Sequence, residues 1–371
     1  MDITLSICVA IYNIKEEFLT ECIESLIFDK SPDVEIILGD DRSEEYVEKI
    51  CGKYVKKDSR VTYIRMEKNM GVSAVRNMMI KKASGKIITF VDGDDVVTKN
   101  YVKRIKEAAN ENFDIAMFEI KRFYSNAPDE NGSGMKIVRL PDGAHKKFSV
   151  SCLTGESAQI ENYGMKNCTP SSVCLAAYNR EFLLKNNLQF RLGLKKSQDT
   201  VFNTSAYYFC GSLGYIPDIL YLYRTNPASV CNRYSKEFDE MIFKTFECDL
   251  ENLKNLYGND ENIRKNLYKY KLILIIIDNF RLNIFHKENP KKKRERKKDF
   301  LKFLEKEPYK TFFDTFDFSS YEWRERKLIL KLAKSRKFNL LDFMYSHPSS
   351  FKIYGWTANR ISLLSKKEGN R

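Results

Sequence analysis

The segment IITFVDGDD, residues 87–95, ends an apolar, β-branched run in three carboxylates, Asp92, Asp94 and Asp95, with only Gly93 between them. Carboxylates this close raise one another's pKa unless a cation lies between them. Mg²⁺ or Mn²⁺ suits such oxygen ligands and often takes substrate phosphates as further ligands. Open α/β sheets bind ligands beyond the carboxyl ends of their strands, which favours a metal site here. Asp-Gly-Asp is also ordinary turn chemistry, so the segment alone leaves both interpretations open.

Strand-like runs alternate with helical patterns through the first 120 residues. Strands are predicted at residues 5–11, 34–40, 61–66, 87–92 and 114–120. The helices between them are predicted near residues 16–28, 44–56, 72–83 and 98–112. This alternation indicates βαβ units and a largely parallel sheet with both faces covered. Right-handed crossovers then bring the carboxyl ends of the strands to one edge of a Rossmann-like α/β layer.

The sequence changes character after residue 120. The turn-rich stretch SNAPDENGSG, residues 125–134, predicts a hairpin or loop, and residues 171–224 mix strands with short helices. Helical spacing dominates from residue 236, and the later helices are predicted at 262–286, 295–306, 322–336 and 351–365. We therefore divide the chain into an α/β domain, 1–235, and a basic, mainly helical region, 236–371.

The net charge of +13 is concentrated in the helical region. Residues 1–235 carry 32 Lys and Arg against 30 Asp and Glu, a balance of +2, whereas residues 236–371 carry 31 against 20, a balance of +11. No apolar run approaches the roughly 18 residues that span a bilayer, and the N-terminus lacks the basic start of a signal peptide. Nine cysteines without CxxC pairs favour reduced thiols in the cytoplasm, and the three histidines lie too far apart for a zinc site.

Other segments place polar groups at the same strand ends. After the first strand, the backbone at Ala10 and the ring of Tyr12 can face a nucleobase. Asp41 follows the second strand and can accept hydrogen bonds from a base or ribose. Arg76 lies in the helix after the third strand and can contact a phosphate or pair with a strand-end carboxylate. Asp199 begins a later amphipathic helix, where a first-turn acid favoured by the helix dipole is an equal alternative to a functional role.

Six segments in this order resemble glycosyltransferase family 2, the inverting enzymes of the GT-A fold. They cover roughly residues 3–230 and read SICVAIYN, EIILGDDRS, NMGVSAVRN, ASGKIITFVDGDD, LKKSQDTVF and ILYLYR. The resemblance is to the bacterial branch that builds capsular, exopolysaccharide and lipopolysaccharide glycans. It implies a GT-A fold for the first domain and transfer, with inversion, from a nucleotide-sugar donor to a glycan or polyprenyl-linked acceptor. UDP is the favoured nucleotide because it is the commonest in the family.

The resemblance also implies roles for individual carboxylates. Asp41 would recognise the nucleobase of the donor. Asp92 and Asp94 would form the DxD motif, with Asp92 toward the ribose or the metal and Asp94 on the Mn²⁺ or Mg²⁺ ion. Asp95 would support these two carboxylates without binding the metal itself. Asp199 would be the catalytic base, which deprotonates the acceptor hydroxyl for in-line attack.

Three positions depart from the family pattern. The first strand reads Ala10-Ile11-Tyr12 where Pro commonly precedes the Tyr-Asn pair. Arg42 stands where the turn after the second strand usually has Gly, and Gln198 replaces the Glu of the Glu-Asp pair. Because Asp199 is retained, we expect activity to survive with an altered environment for the base.

Basic residues alternate with apolar ones in the helical region. The densest run is KKKRERKK, residues 291–298, and the segment 321–338 mixes Lys and Arg with Leu and Ile. Such helices suit an anionic membrane surface, at about 1 kcal/mol for each Lys or Arg near it. A solvated basic face is nearly as good an interpretation. No nucleic-acid motif accompanies the charge, so we expect no nucleic-acid partner and a cytoplasmic protein, peripheral on the inner face of the membrane if the helices bind lipid.

Two alternative functions stay open. A sugar-nucleotide nucleotidyltransferase also uses an α/β nucleotide fold with Mg²⁺, but it needs a Gly-rich basic loop after the first strand, where this chain has the acidic YNIKEE, residues 12–17. A catalytically inactive glycosyltransferase-like domain would bind partners through its basic tail. The retention of Asp41, Asp92, Asp94 and Asp199 together argues against it.

Overall fold

The computed structural model describes residues 2–130, 132–225, 233–318 and 323–347. The chain divides into two compact units. The first comprises Met1–Leu153 and Ser157–Asn226, and the second comprises Thr154–Glu156 and Pro227–Arg371.

The first unit is built on one mixed sheet, which has nine strands within the described residues. These are β1 Leu5–Ile11, β2 Val34–Asp40, β3 Val61–Arg65, β4 Ile87–Asp92, β5 Val96–Val97, β6 Ile115–Phe123, β7 Val138–Arg139, β8 Ala176–Asn179 and β9 Leu213–Arg224. The order across the sheet is β3-β2-β1-β4-β8-β6-β9-β5, with β7 paired to β9. The first four strands are parallel, which confirms the predicted α/β layer.

The register of the parallel strands brings their polar ends together. Ile11 is the last residue of β1 and lies opposite Asp40 on β2, while Ala10 lies opposite Asp92 on β4. β1 is buried almost throughout, as expected for a strand covered on both faces. The carboxyl ends of β1, β2 and β4 therefore form one edge.

Strand β8 was not predicted from the sequence. Its four residues run antiparallel between β4 and β6, although they come much later in the chain than either neighbour. On β4 it pairs with Ile87–Thr89, so among the described residues the Asp92 end of β4 has no ladder partner on that side. The short 3₁₀ turn Val173–Leu175 precedes β8 directly and lies in this part of the sheet.

Strand β9 bends because it carries more residues than its parallel partner β6. Two register shifts flank Glu119, and the residues of β9 opposite this point include Pro217 and Asp218. Bulges of this kind bend a strand and re-aim its side chains. After the bend, Val96 and Val97 of β5 pair with Leu222 and Tyr221, so the end of β9 lies beside the residues that follow Asp95.

Helices flank the sheet in the first unit. They are α1 Glu16–Ile27, α2 Glu45–Lys57, α3 Val72–Lys82, α4 Tyr101–Ala109, α5 Ala144–Thr154, α6 Arg180–Lys185 and α7 Gln198–Phe209. In α1 the buried residues Leu19, Cys22, Ile23 and Leu26 recur at helical spacing, which explains why this segment covers a sheet face. The predicted helix 98–112 is shorter in the structure: the Thr98 N–H still donates to the Leu220 carbonyl of β9, and the helix comprises only Tyr101–Ala109. The described residues of 125–134 form neither helix nor strand, in line with the predicted loop.

The second unit is helical over its described residues. Its helices are α8 Phe238–Tyr257, α9 Glu261–Asn279, α10 Lys293–Leu304, α11 Tyr309–Thr315, α12 Arg324–Lys334 and α13 Phe338–Ser346. The predicted helix 262–286 ends at Asn279 and continues as one π-helical turn, Phe280–Ile284. The predicted helix 351–365 falls outside the described residues. A buried ion pair joins α8 to α9, with Asp249 Oδ2 2.9 Å from Lys271 Nζ.

Across the described residues, the longest apolar helices fall short of what a membrane crossing requires.

Candidate active site

The acidic segment lies where β4 leaves the sheet, beside the ends of β1 and β2. The Gly93 N–H donates to the Ala10 carbonyl at 3.0 Å, and the Asp41 N–H donates to the Ile11 carbonyl at 2.9 Å. A Cβ atom at Gly93 would lie 3.1 Å from the Ala10 oxygen, so a larger residue would crowd this junction. The strand ends are therefore tied together by backbone hydrogen bonds.

Asp92 and Asp94 present the open carboxylates of the segment. The Asp92 side chain is 43% exposed, and its Oδ1 accepts a hydrogen bond from Arg76 Nη2 at 2.8 Å. Burial and the neighbouring Asp92 charge raise the pKa of Asp94 to about 6. In the part of the chain that the structure describes, neither Asp94 oxygen nor Asp92 Oδ2 accepts a hydrogen bond from another residue.

Asp95 is turned away from these two and is almost fully buried. Its Oδ2 accepts a hydrogen bond from the Tyr221 hydroxyl at 2.7 Å, and its Oδ1 accepts one from the Arg224 N–H at 2.7 Å. Burial, together with the charges of Asp94 and Asp92, holds its pKa well above the usual range. Asp95 therefore serves the packing of the segment against β9.

Arg76 joins the acidic segment to α7. Its Nη1 donates to Asp199 Oδ1 at 2.6 Å, while its Nη2 donates to Asp92. The guanidinium is 4% exposed and lies 5.3 Å from the centre of the Phe190 ring. Burial opposes the charge, but the carboxylates of Asp199 and Asp92 outweigh it and raise the pKa of Arg76. The sequence predicted either a phosphate or a strand-end carboxylate as the partner of Arg76. The structure contains the ion pair with the strand-end carboxylate of Asp92.

Asp199 lies in the first turn of α7 and points into the site. Its second oxygen, Oδ2, accepts a hydrogen bond from the Val173 N–H at 3.2 Å, and its side chain is 26% exposed. Val173 belongs to the turn before β8, so the insertion of that strand helps to hold Asp199. The neighbouring Gln198 side chain instead donates to the Leu194 carbonyl at 3.0 Å. Asp92 and Asp199, far apart in sequence, thus share one buried cation.

Asp41 is buried at the end of β2 and is bound to backbone. Its two oxygens accept hydrogen bonds from the N–H groups of Met70 at 2.7 Å and Gly71 at 2.8 Å, and burial raises its pKa. Gly71 has a φ of 85°, which favours glycine, and α3 begins just after it. Asp41 therefore fixes the loop that leads into the helix carrying Arg76.

The remaining predicted residues lie at the end of β1 and in the following turns. Tyr12 is 51% exposed, and Ala10 is partly buried. Arg42, at the position where the family has Gly, has a φ of 65° and is exposed. The left-handed backbone at Arg42 explains why Gly is the usual residue there.

Sequence reasoning missed three residues of this region. Asp40 is fully buried and accepts hydrogen bonds from the Ser43 N–H at 2.9 Å and the Tyr63 hydroxyl at 2.6 Å. Tyr221 and Arg224 contact the acidic segment from β9. Two features of the sequence pointed to them: the Asp40-Asp41 pair at the end of β2 and the segment ILYLYR, residues 219–224. No chemical role could be predicted for ILYLYR from the sequence.

The chemistry of the open carboxylates fits a divalent metal ion. In the described ranges, no group of three His, Cys, Asp or Glu side chains gathers into a site that could hold a metal by itself. Mg²⁺ is usually held by one or two carboxylates, with water and substrate phosphates as its other ligands. Asp92 and Asp94 could supply such a pair.

Comparison with known proteins gives consistent matches. The sequence model of the family described as Glycosyl transferase family 2 matches residues 6–159. The uncharacterized glycosyltransferase EpsJ of Bacillus subtilis (strain 168) is 30% identical over 268 residues, which are 72% of this chain and 74% of that protein. The putative glycosyltransferase EpsH of the same organism is 26% identical over 277 residues, 74% of each chain.

Among solved structures, S. aureus TarS 1-349 in complex with UDP-GlcNAc is similar to this chain, with a TM-score of 0.61 and 17% sequence identity. The match covers 93% of this chain and 92% of that one. At this identity the likeness concerns the fold alone, and it confirms the predicted GT-A arrangement of a mostly parallel sheet with flanking helices, followed by a helical region.

Proposed function

Because the chain belongs to glycosyltransferase family 2, we propose that it transfers a sugar from a UDP-sugar donor to a glycan or polyprenyl-linked acceptor, with inversion, in the synthesis of a cell-surface polysaccharide. The observation that carries this proposal is the pairing of Arg76 with both Asp92 and Asp199. In this proposal, Asp92 serves the donor and Asp199 serves the acceptor, and both carboxylates contact the same buried guanidinium. UDP is favoured because S. aureus TarS, of similar fold, has been crystallised with UDP-GlcNAc and with UDP.

On the donor side, Asp92 and Asp94 would hold a Mn²⁺ or Mg²⁺ ion. When bound, this ion neutralises the charge that develops on the leaving nucleoside diphosphate. The half-exposed ring of Tyr12 and the backbone at Ala10 would receive the nucleobase. Asp41 remains our proposed polar contact for the base, since each of its oxygens has a lone pair beyond the one used by the 70–71 backbone.

On the acceptor side, Asp199 would act as the catalytic base. Arg76 Nη1 and the Val173 N–H each bind one oxygen of its carboxylate and fix its orientation. The acceptor hydroxyl would lose its proton to Asp199 as its oxygen attacks the anomeric carbon from the face opposite the diphosphate. Inversion follows from this single displacement, and no covalent enzyme intermediate is formed. Gln198 takes no part, because its amide is directed to Leu194.

The test is donor turnover by the full chain. Purified protein is incubated with UDP- and GDP-sugars, with Mn²⁺, Mg²⁺ or EDTA, and the released nucleoside diphosphate is measured. We expect metal-dependent release of UDP. Pyrophosphate formed from a nucleoside triphosphate and a sugar phosphate would instead identify a nucleotidyltransferase. A folded protein that turns over no donor would favour the inactive domain.

A thermal-shift screen of nucleoside diphosphates with Mn²⁺ would identify the nucleotide before the sugar is known. A ligand that binds only the native state raises its apparent stability. UDP is expected to give the largest shift. A larger shift with GDP would overturn the choice of UDP but keep the transferase function.

We further propose that the helical region contacts the anionic inner face of the membrane. Part of the basic run 291–298 is engaged within the unit, since Lys291 pairs with Asp299 at 2.6 Å and Arg296 with Asp342 at 2.7 Å. On α12, however, Leu328 is 47% exposed, and Lys331, one turn later, is also exposed. An exposed apolar side chain beside a lysine is the pattern of a surface-binding helix.

Flotation with lipid vesicles tests this surface. The protein should float with vesicles that contain anionic lipid at low salt and stay behind with neutral ones. Lys331→Glu should weaken flotation, while Lys265→Glu, an exposed position on α9, should weaken it less. Equal recovery with neutral and anionic vesicles, or no binding to either, would remove the membrane proposal.

A further inference from the structure

The end of β9 contacts the acidic segment through a single buried hydroxyl. Tyr221 is 1% exposed, and its Oη donates to Asp95 Oδ2 at 2.7 Å. The Tyr221 Oη also accepts a hydrogen bond from the Asp92 N–H at 3.2 Å. One side chain thus joins the first and last carboxylate residues of the segment.

Arg224 holds the middle of the segment. Its Nε donates to the Asp94 carbonyl at 2.9 Å, while its backbone N–H binds the Asp95 carboxylate. The guanidinium lies 4.4 Å from the centre of the Phe18 ring and 4.5 Å from that of Phe123, and it also pairs with Glu21. A planar cation between two rings has little freedom to turn.

Backbone contacts complete the support of the segment. The Asp95 N–H donates to the Asp92 carbonyl at 3.0 Å, which closes the turn, and the Gly93 N–H is bound to Ala10. Beyond the turn, the Thr98 N–H donates to the Leu220 carbonyl at 3.0 Å. The segment is therefore fixed on one side by β1 and on the other by β9.

Asp94 depends on this support more than its neighbours do. Asp92 is oriented by Arg76, and Asp95 by Tyr221 and Arg224. Within the described residues, no side chain of another residue donates a hydrogen bond to the Asp94 carboxylate. Its direction is consequently set by the backbone on which it stands, and that backbone is held by β9.

We propose that Tyr221 and Arg224 are positioning residues that hold the Asp92 and Asp94 carboxylates in the arrangement required by a divalent metal ion and the donor diphosphate. This inference rests on the proposed function, in which those two carboxylates bind the metal. The segment ILYLYR would then contribute to the reaction by positioning these carboxylates, although neither Tyr221 nor Arg224 need contact the substrate. Partners of this kind typically affect metal affinity or activity by about 10- to 100-fold.

Tyr221→Phe tests the hydroxyl and keeps the ring. We expect the dissociation constant for Mn²⁺, measured by titration calorimetry on the full chain without donor, to rise about 10- to 100-fold. The Mn²⁺ concentration for half-maximal turnover should rise in parallel, and kcat should fall. Arg224→Lys keeps the charge but loses the fixed Nε donor, so it should raise the same constant.

Tyr178→Phe is the matched control. Tyr178 is a fully buried tyrosine of β8 whose hydroxyl donates to Asn203 Oδ1 of α7 at 2.8 Å, a contact that does not involve the acidic segment. Loss of this hydroxyl should lower the free energy of unfolding about as much as loss of the Tyr221 hydroxyl does, with Mn²⁺ affinity unchanged.

The outcomes separate the two proposals. If wild type turns over donor but Tyr221→Phe and Arg224→Lys bind Mn²⁺ as wild type does, the positioning role is overturned and the proposed function stands. The positioning role is also overturned if Tyr178→Phe weakens Mn²⁺ binding equally, because the effect would then be general. If wild type itself neither binds Mn²⁺ nor turns over any donor, the proposed function fails, and the positioning role fails with it.

Discussion

At the scale of single residues, the main feature is a carboxylate with two engaged oxygens. Asp199 receives a hydrogen bond from Arg76 on one oxygen and from the Val173 N–H on the other. These two contacts fix the orientation of the carboxylate, as a positioned base requires. The sequence identified Asp199 as an acid in the first turn of a helix, but it could not indicate that Arg76 lies against it. That contact depends on how the fold brings the start of α7 to Arg76 on α3, which no local pattern encodes.

Asp199→Asn should nearly abolish transfer and leave donor binding close to wild type. The amide has almost the same shape but cannot accept the acceptor proton, and loss of a general base typically costs about 10²–10⁴-fold. Turnover is measured as released UDP, and binding as the dissociation constant for UDP with Mn²⁺. Denaturation should accompany both measurements, because Arg76 loses one of its two anionic partners in this variant.

Gln198→Glu is the control for this substitution. It restores the residue that the family has at this position, on the neighbouring side chain that is directed to Leu194. We expect transfer within a few-fold of wild type. Wild-type turnover by Asp199→Asn would remove Asp199 from the mechanism.

At the scale of elements, the long central strands were predicted closely and the short ones were not. The predicted bounds 5–11, 34–40 and 87–92 match β1, β2 and β4, because each is a continuous apolar run that ends in polar residues. Strand β8 is only AAYN, too short to show any period, and it becomes a strand by pairing with β4 and β6. The candidate site divides in the same way. Its carboxylates follow strands and could be predicted, whereas the contacts from β9 require the bend in that strand.

Gly39→Ala should disturb the site through the packing of α3 on β2. A Cβ at Gly39 would lie 2.6 Å from Val75 Cγ1 and 2.7 Å from Met79 Sδ, so these side chains of α3, the helix that carries Arg76, would have to shift. Overpacking of this kind typically costs about 1–3 kcal/mol of stability. We expect this loss in urea denaturation, together with lower kcat.

Gly52→Ala is the control, since it lies within α2 and nothing is within 4 Å of its Cβ position. It should stabilise the protein by about 0.5–1 kcal/mol, as Ala does in place of Gly inside a helix. An unchanged unfolding free energy in Gly39→Ala would mean that α3 is not held at this distance by the glycine.

At the scale of the whole molecule, charge and chemistry are divided between the two units. The α/β unit contains every candidate site residue and has a nearly balanced charge, whereas residues 236–371 carry a net charge of +11. The sequence predicted this asymmetry and the helical character, but it did not predict a buried ion pair between α8 and α9. Asp249 and Lys271 lie in segments that read simply as amphipathic helices.

Asp249 makes stability depend on pH in the opposite sense to acid denaturation, and Lys271→Met should enlarge this dependence. Burial raises the pKa of Asp249 to about 6, although Lys271 opposes this shift. The folded state therefore holds the Asp249 proton more tightly than the unfolded state does. The stability from this group is fully present below the unfolded pKa near 4 and is lost as the pH rises through about 6.

Without Lys271, the pKa of Asp249 should rise further and the loss should extend to higher pH. Breaking a buried ion pair typically lowers the free energy of unfolding by about 3–5 kcal/mol. We expect this loss at pH 8 and a smaller loss at pH 5, where Asp249 is protonated. Urea denaturation at both values measures it, with Lys265→Met on the exposed face of α9 as the control. An equal cost at pH 5 and pH 8 would contradict the assignment of this effect to Asp249.

The insertion of β8 also dictates an order of assembly during synthesis on the ribosome. Strands β1 to β4 can pair as soon as they emerge, because each crossover between them is local. The edge of β4 then stays unpaired until residue 179 has been made. Strand β6 is synthesised earlier, but it joins β4 through β8 and so cannot join this part of the sheet before β8 does. Unpaired edges of this kind invite aggregation, and such long-range pairing slows folding. A nascent chain that stalls before residue 179 should therefore be a substrate for chaperones, while one that has passed this point can pair β8 with both β4 and β6.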